Sequence, residues 1–192
     1  ERDNPDVTAY LEAENAYTAA VMAHTEGLQE ELFTEIVGRI EQTDVTAPTK
    51  LGDFYYYNRY EEGDEYAIYC RRWGSLEGTE EILLDANVRA QGHPFFNMRG
   101  NKASPDQRLY GWAEDVQGRR FFTLRFKDLI TGKMLEEAIE DVTANFVWAE
   151  DGKTIFYVSQ DIETLRSFRL YKHTLGTDPE DDDLVYEETD ET

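Results

Sequence analysis

The chain has 192 residues, a single cysteine and a net charge of −22. Such acidity excludes a nucleic-acid surface, which needs clustered lysine and arginine to displace counterions, and one cysteine excludes an internal disulfide. No apolar run approaches the length of a membrane helix and no secretory leader stands at the front, so the expected setting is the cytoplasm, without nucleic-acid or membrane partners.

The charge is uneven. Residues 1–50 carry 11 acids against 3 bases, residues 178–192 carry 9 acids and no base, and the stretch between is nearly balanced. The acidic ends read as solvated faces that also suit a cationic partner. The chain opens on Glu1 rather than Met and stops inside the run "DPEDDDLVYEETDET", which leads us to expect a segment of a longer polypeptide.

From Pro5 to Ile40 the apolar spacing is helical, through Val7, Tyr10, Leu11, Tyr17 and Val21 and then Leu28, Leu32, Phe33, Ile36 and Val37. Two helices are expected, with Asn4 as cap, Pro5 in the first helical position and a break at Thr25 and Gly27. After Pro48 the pattern changes to short aromatic and aliphatic runs between Gly, Asp and Asn turns: "FYYYNRY", "EYAIYCRR", "EILLD", "RLYGWAED", "RRFFTLRFKDL", "TIFYVSQD", "FRLYKHTL" and "LVYEE". These predict antiparallel strands. The boundary between the two parts is placed at 47/48.

The strands recur in sets. Turns at Asp53, Asp106 and Asp151, 53 and then 45 residues apart, each precede an apolar strand, then a strand with basic residues, then a short strand after a Gly-containing turn. That period is the size of a propeller blade, a small sheet that buries its faces only against its neighbours, and the strand after each Asp turn is an inner one. A three-unit β-sandwich is the plainer alternative. The expected fold class is mainly β with an N-terminal helical segment, a partial β-propeller. Its sheets should hold up to four strands each, with Leu109, Leu124, Phe126, Ile155, Tyr157 and Leu170 buried. Three blades do not close a propeller, so further blades are expected as partners.

No chemistry of catalysis is legible in these residues. A hydrolase nucleophile needs a G-x-S-x-G elbow, and Ser75, Ser104, Ser159 and Ser167 lack those glycines. His24, His93 and His173 show no metal-ligand spacing and read as packing or surface residues. Cys70 lies mid-strand and reads as a small buried hydrophobe. Counted from Asp178 as a calcium loop, the tail has Asp183 where glycine is needed and Thr189 where glutamate is needed. The aromatic run Phe54–Tyr57 reads as filling between sheets rather than a binding platform.

Longer stretches carry a resemblance. "AYLEAENAYT" at 9–18, "EIVGRI" at 35–40, "YYYNRYEEGDEYAIYCRR" at 55–72, "DVQGRRFFTLRFKDLITGKML" at 115–135 and "LYKHTLGTDP" at 170–179 resemble the oligopeptidase B branch of the prolyl oligopeptidase family of serine peptidases, in order and along essentially the whole chain. "NMRGNKASPD" at 97–106 and "YGW" at 110–112 depart from the pattern of relatives. The resemblance implies an α/β-hydrolase catalytic domain capped by a seven-bladed propeller, cleaving short peptides after Arg or Lys with a Ser-His-Asp triad and no cofactor or metal. Residues 1–47 then look like an extension packed on the catalytic domain, and 48–192 like the first three blades, which filter substrate size. The catalytic domain and the triad lie outside this chain. The resemblance also suggests that Glu62, in the loop "YEEGDEY", faces the catalytic domain and helps latch the closed enzyme. A different reading of the same residues is a stand-alone acidic β-repeat module that binds a basic partner.

Overall fold

The side chain of Asn4 accepts the N–H of Asp6 at 2.9 Å and Pro5 occupies the first helical position, so α1 (Pro5–Met22) begins where the capping chemistry requires. This is a computed structural model, and it describes residues 4–190. The break expected at Thr25 and Gly27 falls slightly earlier, in a 3-10 turn at Ala23–Thr25, where the Thr25 hydroxyl donates to the carbonyl of Met22. Gly27 lies inside α2 (Glu26–Val37). The large apolar residues of both helices, Tyr10, Leu11, Leu28 and Phe33 among them, are exposed, and Val37 at the end of α2 is half-buried. These helices belong to a first unit that ends at Asp44; a second unit begins at Val45.

The second unit is built of strands. β1 (Thr49–Leu51), β2 (Phe54–Arg59), β3 (Ile68–Trp73) and β4 (Glu80–Asp85) form a four-stranded antiparallel sheet in sequence order. A short helix unforeseen in the sequence, α3 (Ala86–Ala90), follows; Asp85 caps it by accepting the N–H groups of Asn87 and Val88. Then come β5 (Asn97–Ala103), β6 (Leu109–Asp115), β7 (Phe122–Asp128), β8 (Met134–Trp148), β9 (Thr154–Gln160), β10 (Ser167–Thr174) and, after a 3-10 turn at Pro179–Asp181, β11 (Asp183–Glu187). No helix lies in 120–128 or 154–158.

The expectation of separate sheets of up to four strands is corrected here. β5 to β11 form one seven-stranded sheet, because β8 is a single 15-residue strand that serves two blades. Its first half pairs with β7, as in Leu124↔Ile139, and its second half pairs with β9, as in Phe146↔Tyr157. The register shifts between Val142 and Phe146, and Asp141 takes a left-handed φ of 56°, which turns the strand from the outer edge of one blade to the first strand of the next. The three sets read from the sequence are therefore real. The strands that follow Asp53, Asp106 and Asp151 are β2, β6 and β9, each with a neighbour on both sides.

Packing between blades explains the residues at each position. Along β6, Tyr110 and Trp112 point into a cluster with Leu83 and Leu84 of the first blade. The alternate residue Ala113 joins Leu124, Phe126, Phe146 and Ile155 on the other face. Both faces are covered, so β6 is apolar throughout its middle rather than alternating. Gly111 accounts for the departure at "YGW": a Cβ there would stand 2.8 Å from Phe146 Cζ and 3.0 Å from the Phe126 ring. Leu124, Phe126, Ile155 and Tyr157 are buried as expected. Leu109 and Leu170 are only partly so. Leu109 sits at the open end of β6. Leu170 pairs with Val158, on the face of the third blade opposite to Tyr157 and His173, where no further sheet covers it among the described residues.

The repeated turns carry specific hydrogen bonds. Asp106 accepts the Ser104 hydroxyl at 2.6 Å and the N–H of Arg108. Asp151 accepts the N–H groups of Lys153 and Thr154 and the Thr154 hydroxyl, which hold its carboxyl down at about 2. The two turns touch, since a Cβ on Gly152 would meet the Asp106 carboxylate at 3.1 Å.

Gly100 combines a left-handed φ of 60° with an ideal Cβ position 1.8 Å from the carbonyl oxygen of Ala144. Gly100→Ala should therefore lower stability by at least about 1–3 kcal/mol, the usual penalty of an overpacked site. Gly132→Ala, with a φ of 69° but open space, should lose less; urea denaturation of the two variants checks this, and equal losses would reduce the effect to backbone strain alone. Because the Asp151 carboxyl is depressed in the fold, its contribution is complete above the ordinary 3.8 and is lost as the pH falls toward about 2. Asp151→Ala should accordingly melt lower than the parent near pH 6, with a gap that narrows on acidification through that window.

Candidate functional site

The serines and histidines do not assemble a nucleophile. Ser104 is fully buried, its hydroxyl donating to Asp106 and accepting the N–H of Leu109 at 2.9 Å. It is a turn-forming residue. Ser75 and Ser167 are exposed and Ser159 is half-buried; His24 and His93 are exposed. Among the described residues no serine hydroxyl hydrogen-bonds to a histidine. Cys70 is buried, and burial, reinforced by the nearby Glu80 carboxylate, pushes its thiol up to about 11, which suppresses the reactive thiolate. Tyr57 packs with Ile68 and Cys70, and Tyr56 leans on the cluster around Trp112, so the aromatic run fills the blade as read.

Glu62 lies in the turn between β2 and β3, exposed, beside Gly63 with its left-handed φ of 86°. Its neighbour Glu61 is engaged with Arg59. Glu62 makes no ion pair among the described residues.

His173 corrects its reading as an ordinary packing or surface residue. It is fully buried, with Nδ1 2.6 Å from Asp182 Oδ1 and Nε2 2.6 Å from Glu137 Oε1. A carboxylate oxygen accepts, so a proton on either ring nitrogen has an acceptor in front of it. The network extends outward. Asp182 also accepts the Tyr157 hydroxyl at 2.7 Å, and Glu137 accepts the N–H of Gly176. Burial and the Asp182 carboxylate both push the Tyr157 phenol upward, so it stays protonated and donating. The ring thus ties β8 and β10 to the acidic segment after β10, in which Asp178 also caps the 3-10 turn and Asp183 pairs with Lys172 at 3.0 Å.

A second buried acid lies on the opposite face of the β-unit's middle blade from the Phe126 cluster. Glu114 of β6 is 4% exposed at its side chain. Its Oε1 accepts Arg89 Nη2 at 2.5 Å and Arg125 Nε at 3.3 Å, and its Oε2 accepts Arg89 Nε at 3.2 Å and Trp112 Nε1 at 2.9 Å. Arg89 is the last basic residue of α3, so this network joins the first blade to the second. It forms one wall of a cavity of about 290 Å³ whose rim includes Arg119, Asp141 and Ile162. Nothing in the sequence pattern singled out these residues: Arg125, 11 positions from Glu114, meets it through the pairing of β6 and β7, and Arg89, 25 positions away, meets it through blade stacking.

This is the arrangement of a propeller domain, with blade-to-blade cores and no catalytic constellation among the described residues. A family model for the prolyl oligopeptidase N-terminal beta-propeller domain matches residues 1–192, and the chain belongs to that family. It is 40% identical to a dipeptidyl aminopeptidase BI of Pseudoxanthomonas mexicana and 31% identical to a protease 2 of Moraxella lacunata, covering all of this chain and 28% and 29% of those proteins. The oligopeptidase B of Leishmania major superposes with a TM-score of 0.93 at 29% identity, over 98% of this chain and 27% of that one. That of Trypanosoma brucei, with covalently bound antipain, gives 0.89 at 27% identity, again over 98% of this chain and 27% of that one. The chain therefore spans a little over a quarter of the length of the relatives it matches.

His173→Ala should cost at least about 1–3 kcal/mol, because it empties a fully buried ring position and leaves the carboxylates of Asp182 and Glu137 without the ring they face. Chemical denaturation of the full-length protein measures it, and a loss under about 1 kcal/mol would mean that water replaces the ring at no cost.

Proposed function

We propose that this chain is the N-terminal and propeller portion of a serine oligopeptidase that hydrolyses short peptides after Arg or Lys. The observation that carries the reading is the superposition on oligopeptidase B over 98% of the chain, together with its identity to named peptidases along its whole length. In this reading an α/β-hydrolase domain outside the 192 residues supplies the Ser-His-Asp triad for acyl transfer and the carboxylates that read the basic side chain. Residues 1–47 pack on that domain, which agrees with the exposed apolar residues of α1 and α2. Residues 48–192 contribute blades of the propeller that restrict the active site to short substrates. Closure and opening of the two domains then gate turnover.

Within this scheme Glu62 latches the closed enzyme. Its exposure, its freedom from ion pairs among the described residues and the tight turn at Gly63 suit a carboxylate offered to another domain. An ion pair of this exposed kind contributes only about 0–1 kcal/mol to stability, so its effect belongs to gating rather than to folding.

One relative is named a dipeptidyl aminopeptidase, so release of dipeptides stands beside cleavage after Arg or Lys as a specificity, and one experiment distinguishes them. The full-length protein is given N-terminally blocked peptides with Arg or Lys inside, and unblocked peptides without them. Cleavage after the basic residue of the blocked peptides is expected, abolished by a serine-directed phosphonate. Release of dipeptides from free N-termini alone would overturn the specificity. In the same assay Glu62→Ala should leave the melting temperature nearly unchanged while altering turnover and its salt dependence, and unaltered kinetics at low and high salt would dispose of the latch.

A further inference from the structure

The cavity beside Glu114 sets three arginines, Arg89, Arg119 and Arg125, against one buried acid, Glu114, and two exposed ones, Glu140 and Asp141. Arg89 and Arg125 both converge on the single carboxylate of Glu114, and Arg119 on the rim makes no ion pair among the described residues. The acid itself is saturated. Each oxygen of Glu114 already accepts two donors, from Arg89 and Arg125 on one and Arg89 and Trp112 on the other. It has no further capacity for a ligand cation. The guanidinium groups do have spare donors: Arg125 uses only Nε and Arg89 only Nε and Nη2, so Arg89 Nη1 and both terminal nitrogens of Arg125 donate to no protein atom among the described residues.

Their geometry is fixed in advance. Glu114, buried at the floor and held by the indole N–H of Trp112, orients both guanidinium planes, whose side chains remain 31% and 32% exposed toward the opening. Two oriented forks with free N–H edges suit a planar, two-oxygen acceptor. The Arg119 guanidinium lies over the Phe121 ring at 5.7 Å, and Phe121 and Ile162 add apolar wall for a short hydrocarbon group. The acids that share the cavity, Glu140 and Asp141, are exposed. A volume near 290 Å³ admits a small group rather than a nucleotide.

We propose that this cavity is a carboxylate-binding site, with Arg125 and Arg89 as the bidentate donors, Arg119 as the rim cation and Glu114 as the residue that positions them. The carboxylate is either the C-terminus of a short peptide or a free organic acid. The inference does not depend on the peptidase reading, since it concerns binding alone.

Isothermal titration of the full-length protein tests it, with three probes: a tripeptide of glycine and phenylalanine with a free C-terminus, the same tripeptide as its C-terminal amide, and acetate. The peptides are N-terminally acetylated and the protein is first inactivated with the serine-directed phosphonate, so turnover does not enter. The free acid should bind, the amide should bind about tenfold more weakly or worse, and Arg125→Gln should weaken the free acid by a similar factor, in line with the loss of charge-assisted hydrogen bonds. Arg89 still holds Glu114 in that variant. Arg119→Gln, an exposed residue outside the network, is the second variant should the first fail to fold, and it should reduce affinity severalfold. Acetate that competes fully with the tripeptide identifies a free acid as sufficient, whereas acetate that does not compete assigns the site to a peptide terminus. Absence of binding by both the tripeptide acid and acetate, equal binding of acid and amide, or affinities untouched by either substitution would overturn the proposal.

Discussion

A blade of a propeller has two faces to bury and no second layer of its own, and the rest of this chain follows from that constraint. β6 shows its form most plainly: Tyr110 and Trp112 fill the gap toward the first blade while Ala113 and the bare Gly111 make room for the rings of Phe126 and Phe146 from the other side. Bulky residues on one face are matched by small ones on the other, because interiors close-packed near crystal density leave no slack for both. A Trp112 fully removed from water contributes its large apolar area only while the first blade stands against it. The stability of each blade is thus conditional on its neighbour, as in other stacked-repeat proteins.

Polar groups mark the seams where that stacking is made specific. Arg71, 5% exposed, forks onto Glu81 of its own blade at 2.7 and 3.1 Å and donates to the carbonyl of Gln107 in the next at 2.9 Å. Arg89 reaches Glu114 across the same seam, and Lys127 of the second blade donates to Leu83 of the first at 2.7 Å. Arg71 and Glu114 are the buried members of these pairs, and each is met by several hydrogen-bond partners, the condition under which a buried ion is tolerated. Apolar area alone would let one sheet slide on another. Directional bonds to named carbonyls and carboxylates fix the register between sheets. The His173 network does the same inside the third blade, where it holds the acidic segment against β8 and β10.

The acidity of the chain takes on a structural meaning in this light. Much of it in the strand region is spent on arginines that bridge or flank blades, and on turn aspartates that gather backbone N–H groups. The acids of residues 4–44 lie on exposed positions of the first unit. The chain belongs to the prolyl oligopeptidase propeller family and spans little more than a quarter of its relatives, and its described residues spend their charges on blade seams and turns rather than on a catalytic constellation.

The sequence by itself determined the local events. Asn4 and Pro5 start a helix, Asp and Gly residues make turns at blade spacing, and period-two apolar runs make strands, because each depends on residues a few positions apart. It also carried the family, through long stretches with a preserved order. It misread what depends on partners distant along the chain. Alternation alone does not say which face of β10 meets another sheet, so it does not reveal that Leu170, paired with Val158, lies on the face opposite Tyr157 and is only partly buried. A run such as "EEAIEDVTANFVW" does not reveal that one strand serves two blades, since the bend at Asp141 is set by two partners, β7 and β9. Only the tertiary structure decided the two buried charge networks. His173 looks like any strand residue until Glu137, 36 positions earlier, and Asp182 close behind it face its two nitrogens, and Glu114 looks like a solvated acid until blade stacking removes water from it and leaves Arg89 and Arg125 to answer its charge.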